Sequence, residues 1–235
     1  VTKQTWNPCS ILSPVPAVLV TVRGKNGEEN VLTIGWAGTI CTIPAMVSIS
    51  VRKERYSYEL LKESGEFVIN LTTEALVRAT DYCGVRSGRD EDKFAAMELH
   101  KEKASKVQAP LIKESPVNIE CQVEQVIELG SHDLFIARVV AVDVDEKVID
   151  EKGRLDLGKA HLIAYAHGSY YSLGKQLGTF GYTVKKAPER KSVKSVKKRT
   201  EKEPVKGAMT EPEKKSAKTG VKTARAARST KKSAK

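Results

Sequence analysis

The chain has 235 residues, 40% of them hydrophobic, which is enough to bury the core of one or two domains. Its net charge of +11 is unevenly held: residues 1–184 carry 21 Lys+Arg against 24 Asp+Glu (net −3), and residues 185–235 carry 19 against 5 (net +14). Four well-separated cysteines without a C-x-x-C pair, and no apolar run near the ~18 residues of a membrane helix, argue against a disulfide scaffold, a zinc site and a membrane span, and fit a reducing cytoplasm.

Pro8, Pro14 and Pro16 make residues 1–16 an extended lead-in, and Ala17–Val22 (AVLVTV) is the first strand. The run GKNGEE turns the chain into Asn30–Tyr58, the stretch around which the rest is organised. Val31, Leu32, Ile34 and Ile40 are strand formers, but Gly35, Ala37 and Gly38 interrupt them, and glycine in a strand marks a bulge or a close approach by a ligand. Trp36 stands in that gap. After Pro44, Val47, Ile49 and Val51 alternate with Met46, Ser48 and Ser50, the period of a half-buried strand. A charged turn, Arg52 to Arg55, then leads into a helix.

That helix spans Ser57–Ser64, with Leu60 and Leu61 facing the core, Gly65 stopping it and Ser57 a candidate N-cap. Glu66–Leu71 is a strand. Thr73–Tyr82 is helical by the spacing of Leu76, Val77 and Thr80, with Thr72 or Thr73 as N-cap. Residues 87–94 (SGRDEDKF) form a polar loop of the kind that holds an anion.

The second half is β in character. Val117, Ile119, Cys121 and Val123 alternate with polar residues, and the alternation slips at Glu124 and Gln125, which predicts a bulge. Gly130–Asp133 turns, Leu134–Val144 returns, and Ala160–Tyr171 gives a last strand or two. Six or more strands with only short helices point to a mainly β fold, a closed or nearly closed barrel. Residues 187–235 lack a hydrophobic period and cannot offset their ordering entropy by burial, so they are expected to be a disordered basic tail suited to nucleic acid or another polyanion, or a solvated extension with no partner.

NVLTIGWAGTICTIPAMVSISV, followed in order by RYSYELL, EFVINL, DYCGVRSGRDEDKF, ELGSHDLFIARVVAV and IAYAHGSYYSLG, resembles the flavin reductase-like FMN-binding split-barrel family, most of all its flavoredoxin type, over residues 5–186. The resemblance implies a split β-barrel domain over residues 1–186, a bound FMN and a homodimer with flavin near the subunit boundary. It also implies electron transfer from NAD(P)H or a reduced protein donor to an acceptor. Position by position, it places Asn30 and Trp36 against the flavin ring, the backbone of Ala37, Gly38 and Thr39 facing it, Arg55 and Ser57 near the phosphate, and Lys93 at a basic contact. His132 and Tyr165 fall near the ring or the ribityl chain.

The residue types suit those roles. A phosphate of nearly two negative charges calls for hydroxyls and cations such as Ser57, Arg55, Arg89 and Lys93, and a flat ring calls for an indole wall and an amide. No residue is assigned a catalytic role and none a metal, because the flavin carries the chemistry. Plainer roles stay open for each: Trp36 as core, Arg89 and Lys93 as a solvated loop, His132 as a surface residue, Cys41 and Cys83 as small apolar fillers. Two other functions also stay open, a flavin-binding module without turnover and a nucleic-acid-associated protein acting through its tail.

Overall fold

The computed structural model describes residues 1–184; the tail expected at 187–235 lies outside the described residues. Contacts divide the chain at Gly178, and the described part of the second unit, Thr179–Val184, holds a single 3-10 turn at Tyr182–Val184. The first unit has twelve strands: β1 Val15–Pro16, β2 Val18–Arg23, β3 Glu29–Ile34, β4 Ala37–Thr42, β5 Ala45–Arg52, β6 Glu66–Asn70, β7 Lys101–Glu102, β8 Leu111–Ile112, β9 Val117–Glu128, β10 His132–Val144, β11 Ile163–Ala166 and β12 Ser169–Ser172. Three helices interrupt them: α1 Tyr56–Ser64, α2 Val77–Val85 and α3 Lys93–Ala96. Among the described residues no helix is long and apolar enough to cross a membrane.

Seven strands form one antiparallel sheet in the order β3-β2-β6-β9-β10-β5-β4, flanked by a small sheet β1-β11-β12 and the pair β7-β8. The outermost strands β3 and β4 do not pair with each other. The sheet is therefore open between them, which is the split form of barrel that the family resemblance implies rather than a fully closed one. A physical reason lies at the unpaired flank of β3, where Thr33 Oγ1 donates to the Thr80 carbonyl of α2, so a helix covers that strand in place of a closing one.

The alternation in β5 sorts its side chains as expected. Val47, Ile49 and Val51 are buried with Val20, Leu61, Phe67 and Phe135, and each such large side chain contributes about 1.5–3 kcal/mol through burial. Strand β2 is apolar on both faces. Val18, Val20 and Val22 enter this core, while Leu19 points the other way and packs with Val31, Leu76, Cys83 and Phe94. That second cluster fastens α2 and α3 to the outer face of β2 and β3, and so brings residues 81–93 beside Asn30 and Thr33.

Glu124 is the unpaired residue of a β9 bulge, since Gln125 faces Ile136 and Val123 faces Ala137. Four local expectations are corrected. Thr73 holds the N-cap position of the 3-10 turn Glu74–Leu76 that opens the helix, but without a side-chain cap bond; Thr72 Oγ1 donates instead to the Ala17 carbonyl, and the helix continues to Val85. Ser57 lies inside α1, whose N-cap position is Arg55. The 87–94 loop ends in α3, four residues long, whose N-cap Asp92 accepts from the backbone N–H groups of Phe94 and Ala95. His132 begins β10, opposite Arg52 of β5, and is not in the turn.

Candidate functional site

A cleft of about 370 Å³ opens where β3 ends, between Gly35–Trp36, the start of β10 and the Tyr165–Tyr170 hairpin. Trp36 occupies the corner between β3 and β4, held by its carbonyl, which accepts from the Ser50 N–H at 2.9 Å. Trp36 remains 47% exposed, and a large aromatic left open in a cleft marks a surface that something flat can cover. The imidazole of His132 lies against it, with ring centroids 4.5 Å apart and planes tilted by 38°. Burial, and then the neighbouring Arg52 and Arg55 cations, hold the His132 pKa below its usual value, which keeps the ring neutral.

Opposite, Tyr165 and Tyr170 meet edge to face at 5.3 Å, and the Tyr170 hydroxyl donates to Asp81 Oδ1 at 3.4 Å. Burial, and then Asp81, push the Tyr170 phenol up to about 12. The cleft thus has an aromatic lining with Arg52, Arg55 and Asp81 at its polar edge.

A second pocket of about 150 Å³ adjoins the first, and Arg55 lines both. Its floor is buried: Asn30 Nδ2 donates to Ser57 Oγ at 2.7 Å, tying β3 to α1, and leaves the serine O–H free to donate elsewhere. Gly88 presses against this pair so closely that a Cβ there would stand 2.3 Å from Asn30 Oδ1. Lys93 is only 3% exposed, and its ammonium donates to the carbonyls of Cys83 (3.2 Å) and Arg86 (3.3 Å). Among the described residues it pairs with no carboxylate. Burial lowers its pKa, and an anion in the pocket would offset that desolvation.

These features pass a test of fit for a flavin mononucleotide. A dianionic phosphate matches a buried ammonium without a counter-ion, a free hydroxyl donor and two or three guanidinium groups, and the adjoining cleft offers aromatic walls to a flat ring.

The structure brings Trp36, Arg55, His132 and Tyr165 together in the cleft, and Asn30, Ser57, Arg89 and Lys93 with Arg55 in the pocket. Asn30, expected beside the ring, thus lies among the anion-binding types. Ala37 and Gly38 line a third cavity of about 350 Å³ that shares Gly35, Trp36 and Ser50 with the cleft and is lined also by Leu12 and Val15, and Thr39 lines none of the three. Tyr170, Asp81, Arg52 and Gly88 complete the walls without having been picked out from the sequence. Gly88 lies in the same SGRDEDKF segment and Tyr170 in AHGSYY, but their place depends on α2 and the β11–β12 hairpin meeting at β3.

Fold and site together define a flavin-binding split-barrel protein of redox function, and residues 12–174 match the family model of the flavin reductase like domain, so the chain belongs to that family. Within it, the chain is similar to the flavoredoxin of Desulfovibrio vulgaris (Miyazaki F), at 32% identity and a TM-score of 0.73 over 78% of this chain and 100% of that one. The flavoredoxin from Methanosarcina acetivorans matches at 26% identity and a TM-score of 0.72, over 79% and 100%. A protein of Archaeoglobus fulgidus without an assigned function is 32% identical over 149 residues, 63% of this chain and 83% of that one.

Proposed function

We propose that the chain is an FMN-dependent oxidoreductase that takes electrons from NAD(P)H or a reduced protein and passes them to an acceptor, as a flavin reductase or a flavoredoxin-type carrier. The observation that carries this is the continuity, through Arg55, of an aromatic cleft with a buried cationic pocket, which matches the two ends of FMN. Bound FMN supplies the redox chemistry. Trp36 and His132 then wall the ring, and Arg52 and Arg55 place positive charge near it, which favours negative charge on a neighbouring group. Asn30 orients the Ser57 hydroxyl, and Lys93 with Arg55 holds the phosphate.

The sequence has no G-x-G-x-x-G fingerprint after a strand, so a reduced nicotinamide would meet the ring directly, from the open side of the cleft. Anaerobic titration of the FMN-loaded protein with NADH, NADPH and reduced ferredoxin tests the function. Bleaching of the flavin absorption band by at least one donor is expected, and an unreduced flavin with all three contradicts it.

The reading includes a homodimer in a cytoplasmic setting. Its supports are the apolar Ile40 (49% exposed) and Ile43 (91% exposed) on and beside the edge strand β4, which a second copy would cover, and four free cysteines. A monomer of about 26 kDa with bound flavin, by sedimentation, would contradict the dimer. The net charge of +14 on residues 185–235 favours a separate association with nucleic acid or another polyanion through the tail.

A further inference from the structure

The anion pocket has two walls from distant parts of the chain, Glu54–Ser57 before and within α1 and Arg86–Arg89 after α2. Burial orders it from floor to rim. Asn30, Ser57, Cys83 and Lys93 are buried, whereas Glu54, Arg86 and Arg89 are exposed. Arg89 crosses this rim: its Nη1 donates to the Glu54 carbonyl at 3.1 Å, and its guanidinium lies 5.3 Å from the centre of the Tyr56 ring. Both contacts join the second wall to the first, the one to Glu54 across 35 positions of sequence. Among the described residues Arg89 forms no ion pair, so a cation–π contact and one hydrogen bond to a carbonyl hold it, both made by one guanidinium at once.

The space beneath is small. At about 150 Å³ it falls below the ~300 Å³ lower end of ordinary small-molecule sites, so it can take a terminal phosphate but not a nucleoside beyond it. We propose that Arg89 is a strap across the mouth of the phosphate pocket that selects a flavin ending in a phosphate monoester, FMN, over the dinucleotide FAD. The proposal rests on the flavin reading of the site. A monoester needs no exit on its far side, and its dianion gains from the Arg89 charge above it. A pyrophosphate continuing to adenosine must pass between the two walls and so must displace the guanidinium from Tyr56 and Glu54. Arg89 is exposed, so replacing it leaves the buried clusters of the fold untouched.

The test is fluorescence titration of the full chain, freed of flavin, with FMN, FAD and riboflavin, for the wild type and for Arg89→Ala and Arg89→Lys. The wild type is expected to prefer FMN to FAD by about tenfold or more. In Arg89→Ala that ratio should collapse, because FMN loses the Arg89 charge while FAD is freed of the obstruction, with riboflavin unmoved. Arg89→Lys keeps the charge and loses the guanidinium that reaches Tyr56 and the Glu54 carbonyl together, and it should relax the ratio in the same direction. Equal affinity of the wild type for FMN and FAD, or an Arg89→Ala loss that falls alike on both nucleotides, would overturn the strap while leaving the flavin site standing. Failure of all three flavins to bind the wild type would overturn both.

Discussion

The indole of Trp36 and the imidazole of His132 stand 4.5 Å apart, joining the corner between β3 and β4 to the first residue of β10. Their contact makes one wall of the cleft out of two segments nearly a hundred positions apart. Trp36→Ala should weaken flavin binding by about 1–3 kcal/mol, the range for loss of an aromatic platform under a flat ring. Since the indole lies in the cleft and not the pocket, FMN and riboflavin should weaken alike, which parallel fluorescence titrations would measure.

Lys93 separates the two ligands. Its ammonium is the buried cation of the phosphate pocket, and Lys93→Met should weaken FMN by about 1.5–3 kcal/mol while riboflavin holds. The pH dependence has a definite sign. The protonated amine binds the phosphate, and burial, followed by the Arg55 charge, lowers its pKa, so the FMN advantage over riboflavin should fall as pH rises, starting below the usual lysine value of 10.5. A ratio flat across that range would exclude Lys93 from the phosphate.

Gly88 tests the floor of the pocket. The Cβ of Gly88→Ala would meet Asn30 Oδ1 at 2.3 Å and its Cγ at 2.6 Å, and Asn30 is buried and bonded to Ser57, so the pair must separate. FMN affinity should drop by about tenfold (~1.4 kcal/mol) or more, with the far-ultraviolet circular dichroism unchanged.

His132 makes an acid-side prediction. Its folded pKa lies below the usual 6.5 because of burial and the Arg52 and Arg55 charges, so the unfolded chain takes up the proton first. The stability tied to its neutral form is present above pH ~6.5 and is lost as pH falls from there through the lower folded value. The urea midpoint should therefore fall less on acidification in His132→Gln than in the wild type, and an NMR titration should give the His132 ring a value under 6.5.

Much of this frame was legible in the residues. The period-2 run of β5 sorted core from surface because one of its faces is wet, and the slip at Glu124 announced its bulge, but in β9 Asn118 and Glu120 are buried on the face expected to be wet, Glu120 accepting from the backbone N–H groups of Ser105, Lys106 and Val107. Helix α3 was hidden, since four residues are too few to show a helical period. The caps at Thr72 and Ser57 were misread because both hydroxyls serve tertiary partners, the Ala17 carbonyl and the Asn30 amide, which local sequence does not reveal. Arg55 was read as one more cation near the phosphate. Its place between cleft and pocket follows from the way α1 leaves β5 beside α2, a long-range arrangement.

The tail is tested by truncation. Residues 185–235 hold a net +14 against −3 for the rest, so removing 187–235 should abolish DNA retention at low salt and leave flavin affinity and reduction rate unchanged. In the full chain, retention should fall steeply with added salt. A truncated chain that still holds DNA, or that loses its flavin, would show that body and tail do not act separately.

The claim that cleft and pocket form one flavin mononucleotide site through Arg55 is tested most directly by calorimetric titration of the flavin-free full chain with FMN and with riboflavin, each repeated in the presence of inorganic phosphate. The account predicts one FMN per chain, bound more tightly than riboflavin, with phosphate competing against FMN and leaving riboflavin untouched. Equal affinity for the two flavins, with phosphate indifferent to both, would contradict it.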